Sequence, residues 1–357
     1  MVGRAAAAAL SGALLLAGCA EPARDMVLRP QAERAAAEYV WPPAPGEVPR
    51  YAYLGQLLGE QNLVASESAS ARDGMARALA WLVGLGRSRE PPVVLQRPQG
   101  GAVDADGRIY VADVSRQAVF VFDEAGGRME VWDEATEGRL FRSPIGVAMG
   151  PGGEVLVSDP ELGAVFRLDR EGRPLGAIGE GRLERPTGVA WDPETARLYV
   201  ADTRGNDVKV FDAAGTLVGR LGGAGEEPGQ LNGPTYLAVA GDRVYVSDTL
   251  NSRVQVFDRE GRLLERFGER GLYVGNLARP KGVTVDAEGN IYVVESYFDY
   301  LLVFDPEGRL LLPIGGSGNQ PGQFFQPTGV WTDRRNRVFV SDMLNGRVEI
   351  FQFLGGS

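Results

Sequence analysis

Histidine is absent from all 357 residues. No Ser-His-Asp or Cys-His nucleophile system can be assembled without it, and no imidazole is available for zinc, copper or haem. Any metal would need oxygen ligands. Cysteine occurs once, at Cys19, so the chain holds no internal disulfide. Basic residues are also few, 37 Lys and Arg against 47 Asp and Glu, for a net charge of −10. That balance argues against nucleic acid as a partner, because phosphate binding needs a basic face. Much enzyme chemistry is excluded before any motif is read.

What is present is a normal globular composition, 44% hydrophobic and 24% charged, with 49 glycines for tight turns. One pattern dominates it. A proline opens an apolar run, a turn follows, then a run ending in Asp or Glu, another turn, and a run ending near Phe-Asp. The opening prolines are Pro98, Pro144, Pro186, Pro234, Pro280 and Pro327, at intervals of 46, 42, 48, 46 and 47. A period of that size with four strand-like runs inside it predicts an all-β, six-bladed β-propeller over residues 97–357.

Residues 1–19 read as an export signal: Arg4, a short apolar core from Ala5 to Ala17, and a closing Leu16-Ala17-Gly18-Cys19. The segment is too short for a transmembrane helix. Leu-Ala-Gly-Cys resembles a bacterial lipobox, which implies lipid on Cys19 and several acyl chains for stable anchoring. Ala20 follows the cysteine rather than Asp, and by resemblance to Gram-negative sorting this favours the outer membrane. Residues 20–49 read as a tether, with a helix over 31–40 and an extended Pro-rich stretch from Trp41 to Pro49.

Residues 50–58 alternate like a strand, and the last repeat has only three runs. The expectation is that this N-terminal strand closes the last blade and removes two unpaired edges. Residues 59–96 form a connector, with a short helical segment over 66–86. Within each repeat we letter the strands a to d. Strand a lines the channel and d is outermost. The a–b and c–d turns share one face, and the b–c and d–a loops share the other, the top.

Two stretches, Asp248-Thr-Leu-Asn251-Ser-Arg253-Val-Gln-Val-Phe-Asp258 and Asp342-Met-Leu-Asn345-Gly-Arg347-Val, carry a family resemblance. They are similar to NHL repeats, and the resemblance covers about three quarters of the chain. Blade 2 departs, with Asp159-Pro-Glu-Leu-Gly163 lacking the Asn and Arg. The resemblance implies RNA-binding domains, sensor domains of bacterial kinases, or an α-amidating lyase. Export and charge oppose the first, and the lyase zinc needs histidine. A gluconolactonase-like enzyme on a related propeller uses Glu, Asp and Asn around calcium in its channel. Strand a here reads Gly-Ala-Val, Gly-Val-Ala or Gly-Val-Thr, with no Glu.

The acids closing strand b, namely Asp113, Asp159, Asp202, Asp248, Glu295 and Asp342, recur in every blade and read as turn caps. Function is sought in what differs between blades. Blade 5 has an aromatic b–c loop, Ser296-Tyr297-Phe298-Asp299-Tyr300, which suits recognition. It also changes two positions together, to Lys281 and Glu295, where blades 3, 4 and 6 have Thr and Asp; an ion pair is expected there. Arg116, Arg142, Arg204, Tyr236, Tyr273 and Phe325 are further top-face candidates. The reading is a non-catalytic envelope lipoprotein, with no cofactor, that binds a protein or other ligand on its top face. The alternatives are an oxygen-ligated metal-dependent hydrolase or lyase in the channel, and a scaffold of an envelope assembly.

Overall fold

The computed structural model describes residues 24–28, 39–43, 46–65 and 91–355. The export segment, Cys19, most of the expected tether helix and the 66–86 helix lie outside them. No helix among the described residues is long and apolar enough to cross a membrane.

Six antiparallel sheets follow one another in the chain, each a meander whose neighbours are hydrogen-bonded in sequence order. The inner strands are Pro98–Val103, Val147–Met149, Pro186–Asp192, Pro234–Ala240, Pro280–Val285 and Pro327–Thr332. Alternating apolar residues on both faces of every blade must be covered, since each sheet packs between two others. Six apolar clusters result, each joining two successive blades; Tyr110, Val119 and Trp132 of blade 1 meet Val155, Val157 and Phe166 of blade 2 in one of them. Fully burying each such side chain contributes about 1.5–3 kcal/mol.

Ring closure follows the sequence expectation. Tyr51–Leu57 pairs antiparallel with Arg347–Phe353, from Val348 opposite Leu57 to Phe353 opposite Tyr51. The spacer differs from expectation. Val40 and Trp41 pair with Ala52 and Tyr51 as a fifth, outermost strand of blade 6. Trp41 stacks edge-on against Phe351 at 5.4 Å, so burial of an indole fixes a stretch whose prolines alone indicate open chain.

The inner strands approach so closely that the third residue of the repeat has no room for a side chain. A Cβ on Gly146 would stand 2.3 Å from the Thr187 carbonyl oxygen, and one on Gly282 would stand 2.5 Å from the Val330 nitrogen. Gly100, Gly188 and Gly329 are crowded in the same way. Blade 4 alone departs, with Tyr236 at this position.

Candidate functional site

The strand-b carboxylates are clamps, as their recurrence indicates. Asp113 is fully buried. One of its oxygens accepts from the backbone N–H groups of Gln96 and Arg97 at 2.6 and 2.9 Å, the other from Ser115 and Arg116 at 3.0 Å each. Each acid thus ties the loop entering its blade to its own b–c loop. In blade 6 the family's Asn and Arg extend the clamp: Asn345 and Arg347 both donate to Asp342, and Arg347 also reaches the carbonyl of Gln323. In blade 2 the backbone N–H groups of Glu161 and Leu162 take their place. These groups are fully engaged and hold the ring, not a ligand.

The residues after the opening prolines form a second ring at the top of the channel. Gln99, Ile145, Thr187, Thr235, Lys281 and Thr328 line a cavity of about 130 Å³, joined by Arg185, Thr203 and Tyr236. Its hydroxyls link blade to blade. Thr187 Oγ1 donates to the Thr235 carbonyl at 2.7 Å, Thr203 Oγ1 to that of Pro234 at 2.7 Å, and Thr328 Oγ1 to that of Pro98 at 3.1 Å. Neither Thr187 nor Thr328 bonds its blade's carboxylate, so the hydroxyl–carboxylate contact on which the blade 5 expectation rests does not form.

Lys281 and Glu295 accordingly make no ion pair. Pro280 is opposite Glu295, but the ladder shifts between Pro280 and Val283, and this irregularity sends Lys281 into the channel. Glu295 turns the other way and accepts backbone N–H bonds from Arg279 and Tyr297 at 2.8 Å each. Burial pushes the Glu295 carboxyl up, and those bonds pull it back. Lys281 has no hydrogen-bond or ion-pair partner among the described residues. Burial, then the charges of Arg279 and Arg185, holds its ammonium below the ordinary lysine range.

Tyr236 is buried rather than displayed on the top face, and it lines both this mouth and a lower chamber. The lower chamber is about 280 Å³ and walled by Met149, Trp191, Val239, Val283 and Trp331 among others. The tyrosine is therefore the waist between two compartments. It is legible in the sequence as the one break in a column of five glycines.

In the aromatic loop of blade 5, Tyr297 is exposed, Phe298 and Tyr300 are half-buried, and Ser296 and Asp299 are buried. Tyr297 is 62% exposed and packs edge-on against Phe298 at 4.9 Å. Phe298 and Tyr300 line a small cleft with Leu272, Tyr273 and Val274, of which Leu272 and Tyr273 are more than four-fifths exposed. Leu272 and Val274 have no aromatic or charged signal of their own, and only the fold brings their loop beside the 296–300 loop. Phe325 is half-exposed. Arg204 is exposed, whereas Arg116 is spent on the Val94 carbonyl, to which its Nε donates at 2.8 Å.

Residues 95–122 match the NHL repeat family. That stretch lies in the first of six blades, five of four strands and one of five. The chain is a six-bladed β-propeller whose first blade matches an NHL repeat. It is 32% identical to a gluconolactonase of Zymomonas mobilis over 133 residues, 33% of this chain and 35% of the relative. The chain thus spans about a third of the length of that relative. Among solved structures, a streptogramin B lyase superposes with a TM-score of 0.55 at 13% identity, over 72% of this chain and 94% of that one. An auxiliary nutrient binding protein from Bacteroides ovatus superposes with a TM-score of 0.55 at 16% identity, over 72% and 69%. At these identities the likeness is one of fold. The same ring of blades serves enzymes and binding proteins, so this propeller's activity has to be read from its own site.

Proposed function

We propose that this propeller is a membrane-anchored cell-envelope lipoprotein whose top face binds a protein partner without catalysis. The observation that carries the reading is the exposed cluster of Leu272, Tyr273, Val274 and Tyr297, backed by Phe298. Contiguous apolar and aromatic surface of this kind is costly to leave in water and marks interaction sites. The lipobox resemblance at Cys19 supports anchoring at the outer membrane. A photo-cross-linker placed at Tyr297 in detergent-solubilised membranes should capture one stoichiometric partner, while the same group at Arg262, in a turn on the opposite face, should not. Equal capture from both faces would oppose the reading, as would an acyl-free mature N-terminus by mass spectrometry.

The similarity to a gluconolactonase supports a second reading, a metal-dependent hydrolase acting in the channel. Against it, neither channel compartment is lined by any Asp or Glu, so oxygen-ligated metal chemistry has no carboxylate to build on there. Turnover of a sugar lactone that depends on added calcium would decide for this alternative.

A further inference from the structure

Charge on the two faces is handled differently. In the turns of the lower face five arginines are matched to their turn's own aspartate: Arg108 to Asp104, Arg173 to Asp169, Arg262 to Asp258, Arg309 to Asp305 and Arg337 to Asp333, all within 2.9 Å. Around the channel mouth nothing matches the cations. Lys281, Arg185 and Arg279 make no ion pair among the described residues, and the mouth is lined by no carboxylate. A chain with a net charge of −10 thus keeps one enclosed positive spot.

We propose that this mouth binds a small monocarboxylate, its two oxygens held by the Lys281 ammonium and the Tyr236 hydroxyl. The charge selects an anion, because a cation would be repelled and a neutral molecule would leave the half-enclosed ammonium unpaired. The donors select the anion's shape. The hydroxyl hydrogens of Thr187, Thr203 and Thr328 are committed to carbonyls of neighbouring blades. Gln99 is turned towards the Arg97 carbonyl at 3.4 Å. Tyr236 Oη is buried and lies beside the Thr328 hydroxyl without closing a hydrogen bond to it. Thr235 is committed to Thr249. Inside the cavity Lys281 and Tyr236 then remain free, while Arg185 of the same lining is exposed to water. Two inner donors match the two oxygens of a planar carboxylate, whereas a phosphate would leave inner oxygens unmet. The size of the ligand follows from the space. A cavity of about 130 Å³ is slightly smaller than the roughly 150 Å³ cavity that accepts benzene, so the occupant has about six heavy atoms or fewer. Arg185 and Arg279 stand at the rim, where their charges draw the anion in and keep Lys281 dependent on a counter-ion.

The test is isothermal titration of pyruvate, acetate and inorganic phosphate into the full chain at mildly acidic and alkaline pH. Pyruvate and acetate should bind, and phosphate should bind more weakly. Lys281→Met should weaken pyruvate binding about tenfold or more, as loss of a charge-assisted contact does. Tyr236→Phe should weaken it several-fold, and Arg262→Ala, in a turn of the lower face, should leave it unchanged. In the unaltered protein, affinity should fall as pH rises through the lowered pKa of Lys281, which keeps the test open if Lys281→Met does not fold. No binding by the unaltered protein, tighter binding of phosphate than of pyruvate, or an unchanged affinity in Lys281→Met would each overturn the assignment.

Discussion

Arg347 Nη1 donates to Gln56 Oε1 at 3.1 Å, joining strands from the two ends of the chain 291 residues apart. The guanidinium sits at the centre of a buried network, with Nε 2.7 Å from Asp342 and Nη2 2.9 Å from Glu349. It therefore holds the closing strand to blade 6 and faces two buried acids with a single positive charge.

Replacing Arg347 with Met should be costly for that reason. Both carboxylates would stay buried without their cation, and removing one partner of a buried pair costs about 3–5 kcal/mol. Urea unfolding measures this directly. A loss below about 1 kcal/mol, the range of exposed pairs, would show that the network does not hold the ring shut.

Glu349 is expected to weaken the protein near neutral pH. Burial raises its carboxyl well above 4.5, with nearby Asp342 adding to the shift and Arg347 opposing it. The folded state then binds more protons than the unfolded one, so this group's contribution to stability declines as pH rises from 4.5 through the raised value. Blade 4 carries Gln255 at the matching place, where it accepts the N–H of Gly229 at 2.9 Å much as Glu349 accepts that of Gly322 at 3.0 Å. Glu349→Gln should therefore be more stable than the parent at neutral pH, with the advantage shrinking on acidification. Parallel stability–pH curves for the two proteins would contradict this.

The inner column gives a paired expectation. Gly282→Ala forces a Cβ to 2.5 Å from the Val330 nitrogen, which belongs to the backbone of the next blade. It should cost about 1–3 kcal/mol by overpacking. Tyr236→Gly merely restores the residue type of the other five blades and joins two existing cavities. Its cost should fall below the roughly 3–5 kcal/mol of emptying a closed core site. Denaturant midpoints with equal slopes measure both, and a loss of about 3–5 kcal/mol or more in Tyr236→Gly would refute the view of Tyr236 as a waist.

What the sequence discloses and what it hides divide along physical lines. The propeller and the strand-b clamps are repeated features, and repetition makes them visible: Asp113 and Asp342 each accept the backbone N–H two residues before their blade's opening proline, from Gln96 and Phe325. The closing strand is visible because the last repeat lacks a fourth run. Lys281 and Glu295 look like neighbours in sequence register, yet an irregular ladder between Pro280 and Val283 sends them to different surroundings. The same shift follows the opening proline in blades 1, 3, 4 and 6, so it belongs to the backbone of the repeat rather than to a visible side-chain pattern. Trp41 is missed for a related reason, since its strand forms only because Phe351 from the far end of the chain offers a ring to pack on. The Tyr236 waist was open to reading, but only by aligning the repeats and looking for the missing glycine.

Binding through the top face is tested most directly by co-purification from detergent-solubilised membranes, comparing the parent with a Tyr273→Ser, Tyr297→Ser variant. Both side chains are exposed and distant from the blade cores, so the melting temperature should be unchanged. The account predicts that a single stoichiometric partner accompanies the parent and is lost from the variant. A partner retained at full stoichiometry by an equally stable variant would contradict it.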